Sequence, residues 1–191
     1  MSLTEIYLPE VRQPSRAPGP WCPELLGADT ASCFPRPTCV LAAAAGDDLH
    51  VITVAAVAIA DVTSGSIVVS VRAHSRIHRL VARSGAFTVG LLAASQQSLA
   101  IEFARPGRPM GISQLAGLRW SRSPASGTPL LEGLAAWLDC DVREILSFGS
   151  SVLLLGVARA ASGREKDDVG SLVRLDGRYV PVRSGTHHER R

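Results

Sequence analysis

From residue 36 onward, short apolar runs rich in Val, Ile and Thr alternate with turn residues, a pattern typical of β-strands joined by hairpins. The runs predict strands over residues 38–45, 49–60, 66–72, 86–92, 134–145, 151–160 and 172–182. Gly46, Asp47 and Asp48 separate the first two runs and predict a tight turn between antiparallel strands. The spacing favours an antiparallel barrel over a parallel sheet with crossover helices.

Two segments follow helical spacing instead. Residues 75–84 carry apolar side chains three and four positions apart, and Gly85 stands where a helix C-cap belongs. Ser95 is predicted to be the N-cap of a second helix that runs through Phe103. Both helices are short, so the sequence predicts a mainly β protein.

The ends of the chain differ from this central part. Residues 1–35 hold six of the twelve prolines and no sustained period, which predicts an extended arm with a short helix near residues 23–27. Residues 184–191 are polar and predict a flexible tail. We therefore expect three parts: the arm, one folded domain over residues 36–183, and the tail. Within the domain, residues 105–129 are rich in Pro, Gly and Ser and predict a loop.

Composition fits one domain with an extension and excludes a disordered chain, since 46% of the 191 residues are hydrophobic. The net charge is +3, and because Lys166 is the single lysine, 20 − 1 = 19 of the basic residues are arginine. These arginines are scattered, and aromatic residues make up 5% of the chain, which leaves few stacking platforms for bases. We expect no nucleic-acid partner.

Other classes of function are also disfavoured. The longest apolar run, residues 51–60, is far shorter than the ~20 residues of a membrane-spanning helix, and residues 1–21 lack an export-signal pattern. We therefore expect a cytoplasmic protein with no membrane association. The four cysteines form no C-x-x-C pair and no metal-ligand spacing, so no metal site is expected. Cys39 and Cys140 lie in apolar runs and are expected to be buried thiols.

Four stretches, taken together and in order, resemble the flavin reductase-like family of the FMN-binding split barrel, the reductase components of two-component flavin monooxygenases. They are Val51–Ala56 leading to Ile67–Val71, Ser75-Arg76 followed by Ser84–Val89, Gln97 to Ala104, and Gly117–Trp120 followed by Gly127–Leu130 and Ala136–Cys140. Leu172 and Gly177-Arg178-Tyr179 also fit the family. The resemblance spans about three-quarters of the chain.

The resemblance implies an antiparallel Greek-key split β-barrel with two or three short helices. It implies an NAD(P)H-dependent reductase of FMN or FAD that supplies reduced flavin to a partner monooxygenase in a biosynthetic pathway, and it implies a homodimer. Because the proline-rich arm has no core of its own, we expect it to pack on the neighbouring subunit. The resemblance carries over no catalytic residue. The residues it places at the cofactor are Thr53, Val54, Ala55, Ala56, Ser70, Val71, Ser75, Arg76, Phe103 and Ser151.

Simple chemistry supports one part of this set. A flavin phosphate needs an arginine together with hydroxyl or N–H donors at the start of a helix, where the helix dipole also favours an anion. Ser75 and Arg76 stand at the predicted start of the first helix. The alternative interpretation is a solvated arginine beside an ordinary N-cap.

The chain departs from the family at several positions. Polar family residues are replaced by Ala55, Ala58, Ile77 and Gly90, and the family's Gly-Asp-His triplet reads Gly149-Ser150-Ser151. A serine cannot offer an imidazole face to a nicotinamide, so these departures predict altered docking of NAD(P)H and weaker, different or absent binding of flavin. We expect the replaced positions to cluster on the cofactor side and not in the core.

These departures support an alternative function: a split-barrel protein that no longer uses flavin and nicotinamide. It would be an accessory or binding protein, or a flavin-independent enzyme, acting on a small apolar molecule. The apolar side chains of Ala55, Val57, Ala58 and Ile59 would line its site.

Other polar residues are weaker candidates. Asp139 and Asp141 alternate along a strand and share a face, either as an acid–base pair or, more simply, as two solvated carboxylates. His74 and His78 either contact a ribityl phosphate or cap the helix, and the cap is favoured. His50 opens a strand after a turn and is expected to be exposed.

Overall fold

The computed structural model describes residues 27–163 and 170–183. Twelve β-strands are described within these residues, and two three-residue strands among them pair with each other as a separate hairpin. Their bounds are β1 Arg36–Pro37, β2 Cys39–Ala45, β3 Asp48–Val54, β4 Val57–Asp61, β5 Ser66–Arg72, β6 Ala86–Leu91, β7 Trp120–Arg122, β8 Pro129–Leu131, β9 Ala136–Phe148, β10 Ser151–Ser162, β11 Ser171–Leu175 and β12 Arg178–Val182.

Seven of these strands form one antiparallel sheet in the order β3-β2-β6-β9-β10-β5-β4. Its two edge strands, β3 and β4, are consecutive in the chain, and their adjoining ends lie close together because only Ala55 and Ala56 separate Val54 from Val57. The Ser70 N–H on β5 donates to the Ala56 carbonyl at 2.9 Å and continues the pairing of β5 with β4. The sheet therefore coils until its edges meet. This arrangement confirms the predicted antiparallel fold and the hairpin between β2 and β3.

Helix α2, Arg76–Ser84, fills one end of the coiled sheet. Its inner side chains Ile77, Leu80 and Val81 are at most 1% exposed and pack against residues such as Leu41 and Val69 from the strands. Gly85 adopts a left-handed conformation with φ of 68°, which confirms the predicted C-cap. Removal of this much apolar surface from water is the main driving force for closing the sheet around the helix.

A second apolar cluster lies on the outer side of β2 and β3. Helix α3, Gln97–Ala104, contributes Ala100 and Phe103, and the 3-10 helix Gly111–Leu115 contributes Leu115. Strand β11 contributes Leu172, which is fully buried. Together with the short helix α1, Ala28–Ser32, these are the described helical segments of the molecule.

Some predicted boundaries are wrong. The predicted strand 49–60 is two strands, β3 and β4. The chain leaves β3 after Val54 and passes through Ala55 and Ala56 from one edge of the sheet to the other before β4 begins. Ser95 is not an N-cap: α3 begins at Gln97, and the Gln96 side chain accepts a hydrogen bond from the Ala93 N–H at 2.9 Å.

The loop predicted for residues 105–129 contains the 3-10 helix and part of the β7–β8 hairpin. Most of the predicted arm and the entire predicted tail lie outside the described residues. The short helix predicted near residues 23–27 also falls almost entirely outside them, and α1 follows it directly.

Cys39 and Cys140 are buried free thiols, as predicted. Burial raises the pKa of each to about 12, so both are protonated at neutral pH. Among the residues that the structure describes, no helix is long and apolar enough to cross a membrane. The same residues hold no cluster of three or more His, Cys, Asp or Glu side chains placed to bind a metal ion.

Candidate functional site

The two edges of the large sheet meet along a line that we call the seam, formed by Thr53–Ala56 on one side and Ser70–Arg76 on the other. Ala55 and Ala56 lie outside the strands, half-buried and exposed respectively. Ser70 is half-buried on the outer face of β5, and its N–H joins the two sides of the seam. The structure thus brings together two segments about fifteen residues apart in the sequence.

The N-terminus of α2 lies at one end of the seam. Ser75 is its N-cap, and the Ser75 hydroxyl oxygen accepts a hydrogen bond from the His78 N–H at 3.4 Å. The first turn holds no acidic residue, so the positive end of the helix dipole is not offset by a carboxylate in that turn. The His78 ring accepts from the His74 N–H at 3.2 Å, which supports the predicted role of this histidine pair at the helix start.

Arg76 extends from this helix start across β3. Its guanidinium forms an ion pair with Asp48 and donates to the Met110 sulfur at 3.2 Å, while its buried Nε–H has no partner among the described residues. Arg79 and Arg83 line the same small cleft, whose volume is about 160 Å³. The cleft therefore presents three guanidinium groups and one carboxylate, a net positive charge suited to an anion.

Some predicted cofactor residues face away from the seam. The Thr53 hydroxyl donates to the Ala100 carbonyl at 2.8 Å and ties β3 to α3. Val54 and Val71 are 8% and 5% exposed and belong to the interior cluster. Phe103 is 1% exposed in the outer cluster, so its ring offers no surface to a ligand in this structure. Of these four, Thr53, Val54 and Val71 can contribute backbone groups to the seam.

Ser151 lies where the resemblance places a histidine. It is half-buried at the start of β10 and pairs with Arg72 at the end of β5. The neighbouring Ser150 carbonyl accepts from the Ala73 N–H at 3.0 Å, which fixes the β9–β10 turn beside the approach to α2. The structure therefore brings Ser151 to the same end of the seam as Ser75.

The expectation that all the family departures lie on the cofactor side is wrong at two positions. Ile77 is 1% exposed and packs in the interior, because it stands on the inner side of α2. Gly90 is buried, and a Cβ built on it would collide with Leu134 Cδ1, so the glycine here accommodates Leu134. Ala55, Ala58 and Ser151 are accessible.

A buried polar network flanks the Asp48 end of β3. His50 is 8% exposed, not exposed as predicted, and its Nδ1 lies 2.9 Å from the Gln114 side-chain oxygen. Its Nε2 lies 3.3 Å from an Arg108 guanidinium nitrogen, so a neutral ring donates to Gln114 and accepts from Arg108. Burial is the largest cause that lowers the pKa of His50, and the nearby Arg108 and Arg76 charges lower it further.

The Gln114 amide also pairs with the backbone of the edge strand. The Val51 N–H donates to the Gln114 oxygen at 3.1 Å, and the Gln114 Nε2 donates back to the Val51 carbonyl at 3.2 Å. Sequence reasoning missed Asp48, Arg108 and Gln114, since Asp48 served there only as a turn residue and the other two stand in a loop-rich stretch. The sequence holds no local pattern that links them to β3.

Asp139 is another departure from expectation, because it is fully buried and not solvated. One of its oxygens accepts hydrogen bonds from the Ser123 and Ser126 hydroxyls, while Oδ1 has no partner among the described residues. Asp141 points to the surface and pairs with Arg159. The two carboxylates therefore have separate partners, and Asp139 holds the loop between β7 and β8 in place.

The seam fits a flavin nucleotide. The N-terminus of α2 can hold a phosphate through the Ser75 hydroxyl, the first-turn N–H groups and Arg76, whose Nε–H still lacks an acceptor. At the other end of the seam, the N–H and C=O of Ala55 and the N–H of Ala56 can pair with the polar edge of a flat ring, whereas the Ala56 carbonyl already accepts from Ser70. The apolar side chains at these two positions remove side-chain hydrogen bonds but leave those three backbone groups available.

Comparison with known proteins agrees with this fit of the seam to a flavin. The family described as flavin reductase like domain matches residues 31–183. An NADPH-flavin oxidoreductase of Streptomyces viridifaciens is 33% identical over 149 residues, which cover 78% of this chain and 76% of that protein. An NADH-dependent FAD reductase of Streptomyces globisporus is 31% identical over 80 residues, which cover 42% of this chain and 44% of that protein.

Solved structures share the fold. The flavin reductase component of a bacterial two-component tryptophan halogenase superposes with a TM-score of 0.75 at 25% identity, over 82% of this chain and 96% of that one. The NADH:FAD oxidoreductase of Streptomyces globisporus superposes with a TM-score of 0.73 at 22% identity, over 80% of this chain and 88% of that one.

The His50 network predicts a pH dependence of stability. Because the pKa of His50 is lower in the folded chain than its usual value near 6.5, the unfolded chain binds more protons in this range. The free energy of unfolding should therefore be highest above pH 6.5 and fall as the pH drops from there toward the lowered pKa. Urea denaturation between pH 7.5 and pH 5 would measure it.

The matched variants are His50→Gln and, as the control, His74→Gln at an exposed position. We expect His50→Gln to lower stability at neutral pH and to flatten the slope, while His74→Gln keeps the slope of the wild type. Equal slopes in all three proteins would contradict the assignment.

Proposed function

The chain belongs to the flavin reductase-like family, and on this basis we propose that it is an NAD(P)H:flavin oxidoreductase that supplies reduced flavin to a partner monooxygenase. The observation that carries the proposal is the seam, where the unpaired backbone of Ala55 lies at one end and strand β5 leads from there to the N-terminus of α2, with Ser75 and Arg76, at the other. Similarity to an NADPH-flavin oxidoreductase over 78% of this chain supports it and favours this function over a flavin-independent one.

The proposed flavin is FMN or FAD. Both carry the same ring and the same first phosphate, and the seam offers groups for those shared parts. We propose that Ser75 and Arg76 hold the phosphate, that the backbone at Thr53–Ala56 and Ser70–Val71 faces the ring edge, and that Asp48 orients Arg76 through their ion pair. The bound nicotinamide would supply a hydride and the flavin would accept it, while the protein positions the two rings.

The nicotinamide is proposed to approach from the β9–β10 turn. Ser151 stands there, at the same end of the seam as Ser75, and offers a hydroxyl in place of an imidazole. A serine can hydrogen-bond a carboxamide but cannot stack on a ring. We therefore propose that this chain binds the nicotinamide nucleotide more weakly than it would with histidine.

The proposed domain is residues 36–183, with residues 1–35 as an arm and 184–191 as a tail. We propose a homodimer in which the arm packs on the neighbouring subunit. The outer face of β9, β10 and β5 supports this, because Leu146 is 40% exposed and Leu153, Leu155 and Val68 beside it are only half-buried. The proposed compartment is the cytoplasm, where NAD(P)H is available.

The phosphate assignment is tested with Arg76→Ala. Loss of a charge-assisted contact of this kind costs about 1.5–3 kcal/mol, so we expect KM for FMN to rise roughly tenfold or more. Riboflavin, which has no phosphate, should show little change in KM, and kcat should fall less than KM rises. Steady-state oxidation of NADH and NADPH with each flavin provides the measurement.

Arg119→Ala is the control, since Arg119 is exposed, pairs with Glu132 and does not line the cleft beside Arg76. An equal rise of KM for FMN and riboflavin in Arg76→Ala would refute a phosphate role for this residue. An absence of flavin-dependent turnover in the wild type, with all nicotinamide and flavin pairs, would refute the reductase function itself.

The role of the β9–β10 turn is tested by Ser151→His. If the nicotinamide docks there, kcat/KM for NADH or NADPH should rise severalfold, because the imidazole adds a stacking surface. Ser147→His, on an exposed position of β9, should leave kcat/KM unchanged. A Ser151→His protein with wild-type kinetics would place the nicotinamide elsewhere.

The dimer is tested by light scattering at micromolar concentration. The wild type should show twice the 20.2 kDa chain mass, and Leu153→Glu should reduce it toward one chain, because a carboxylate would be buried at the interface. Ile101→Glu, at a position of α3 that is 51% exposed, should keep the wild-type mass. A monomeric wild type would contradict the proposed dimer.

A further inference from the structure

The end of the coiled sheet opposite α2 is open and contains a cavity of about 360 Å³. All ten residues that line it are apolar in character, and none carries a charge. Cys39, Ile67 and Leu91 belong to the strands that form its inner wall, and Ile59 of β4, which is 54% exposed, stands on its rim. The Cys39 thiol and the Trp137 indole N–H are the side-chain polar groups of this lining.

The cavity adjoins the Ala56 end of the seam through Val57 but lies away from the α2 end, where the phosphate is proposed to bind. Ile67 lies four residues before Val71, so about 13 Å of strand β5 separates the cavity wall from the α2 end of the seam. Between them, Val69 is fully buried in the interior cluster. Of the side chains that sequence analysis placed in an apolar site, Val57 and Ile59 line this cavity, whereas Ala55 and Ala58 do not.

The backbone around the cavity has few free hydrogen-bonding groups. Strands β2, β5, β6 and β9 each pair with a neighbour on both sides, so their N–H and C=O groups are already used within the sheet, whereas β4 is an edge strand that pairs with β5 alone. A peptide segment that entered the cavity past β4 would bury its own amides against the four paired strands without partners, which is unfavourable. A charged ligand would lose its hydration with no counter-charge in the lining.

We propose that this cavity binds one uncharged aromatic small molecule of about two rings. The size follows from volume, since a cavity of about 150 Å³ in another protein holds one benzene molecule, and this one is somewhat more than twice as large. Trp137 offers a face for stacking, and the branched side chains of Val57, Ile59 and Ile67 offer apolar contact. This site shares no lining residue with the seam.

The test is a fluorescence titration of the full-length protein with 1-aminonaphthalene, which is uncharged at pH 7.5 and has two rings. We expect saturable binding of one molecule per chain. Ile59→Glu, which places a carboxylate on the rim, should weaken binding at least tenfold. Ile59→Trp, which fills the opening without a charge, should weaken it similarly.

The matched control is Val62→Glu, because Val62 is 86% exposed, lies close to Ile59 in the chain and does not line the cavity. Its affinity for the probe should stay within twofold of the wild type. Flavin reduction should be the same in all these proteins, so failure at this cavity is distinguishable from failure of the proposed reductase activity.

Two results would overturn the proposal. One is an absence of saturable binding by the wild type, or equal weakening by Ile59→Glu and Val62→Glu. The other is a wild type that binds no probe together with an Ile59→Glu protein whose molecular mass by light scattering is lower than that of the wild type. The cavity would then be covered by a second copy of the chain.

Discussion

The burial of one face of helix α2 inside the coiled sheet is the interaction on which the rest of the molecule depends. Ile77, Leu80 and Val81 carry almost no exposed surface, and they pack against strands from both halves of the large sheet. This packing holds the two sheet edges close together and fixes the direction of the helix. As a result the N-terminus of α2, with Ser75, is held at the end of β5.

The charged side chains around the start of α2 depend on this apolar packing for their positions. Asp48 offsets part of the positive charge of Arg76, while Arg108 contacts a histidine that burial keeps neutral. Two guanidinium groups are therefore held near one edge strand with a single ion-pairing carboxylate between them. An anion that enters this region meets an arginine already oriented, so less side-chain entropy is lost when it binds.

Much of the fold could be predicted from the sequence because strand periodicity and turn residues are local signals. The β2–β3 hairpin and the Gly85 cap follow from residues adjacent in the chain. The break between β3 and β4 could not be predicted this way, because Ala55 and Ala56 are apolar like the strands beside them and the break arises where distant edges meet. Its cause is the shape of the whole sheet.

The candidate site, like the fold, could be predicted from the sequence only in part. Ser75 and Arg76 could be predicted because an N-cap and an adjacent arginine form a local pattern, and the structure places both at the helix start. The burial of His50 and Asp139 could not, because it depends on Gln114, Ser123 and Ser126, which approach from a loop-rich part of the chain. The core position of Phe103 was missed because a family motif does not say which way a side chain points.

The pairing of the Gln114 amide with Val51 has a consequence for the behaviour of the molecule in a crowded solution. Strand β3 is an edge of the large sheet, and an edge with free N–H and C=O groups can recruit a strand from another molecule. The Gln114 side chain occupies both groups of Val51 near the middle of that edge, as a neighbouring strand would. A single glutamine thereby protects β3 from aggregation through strand addition without covering the seam, which begins two residues later at Thr53.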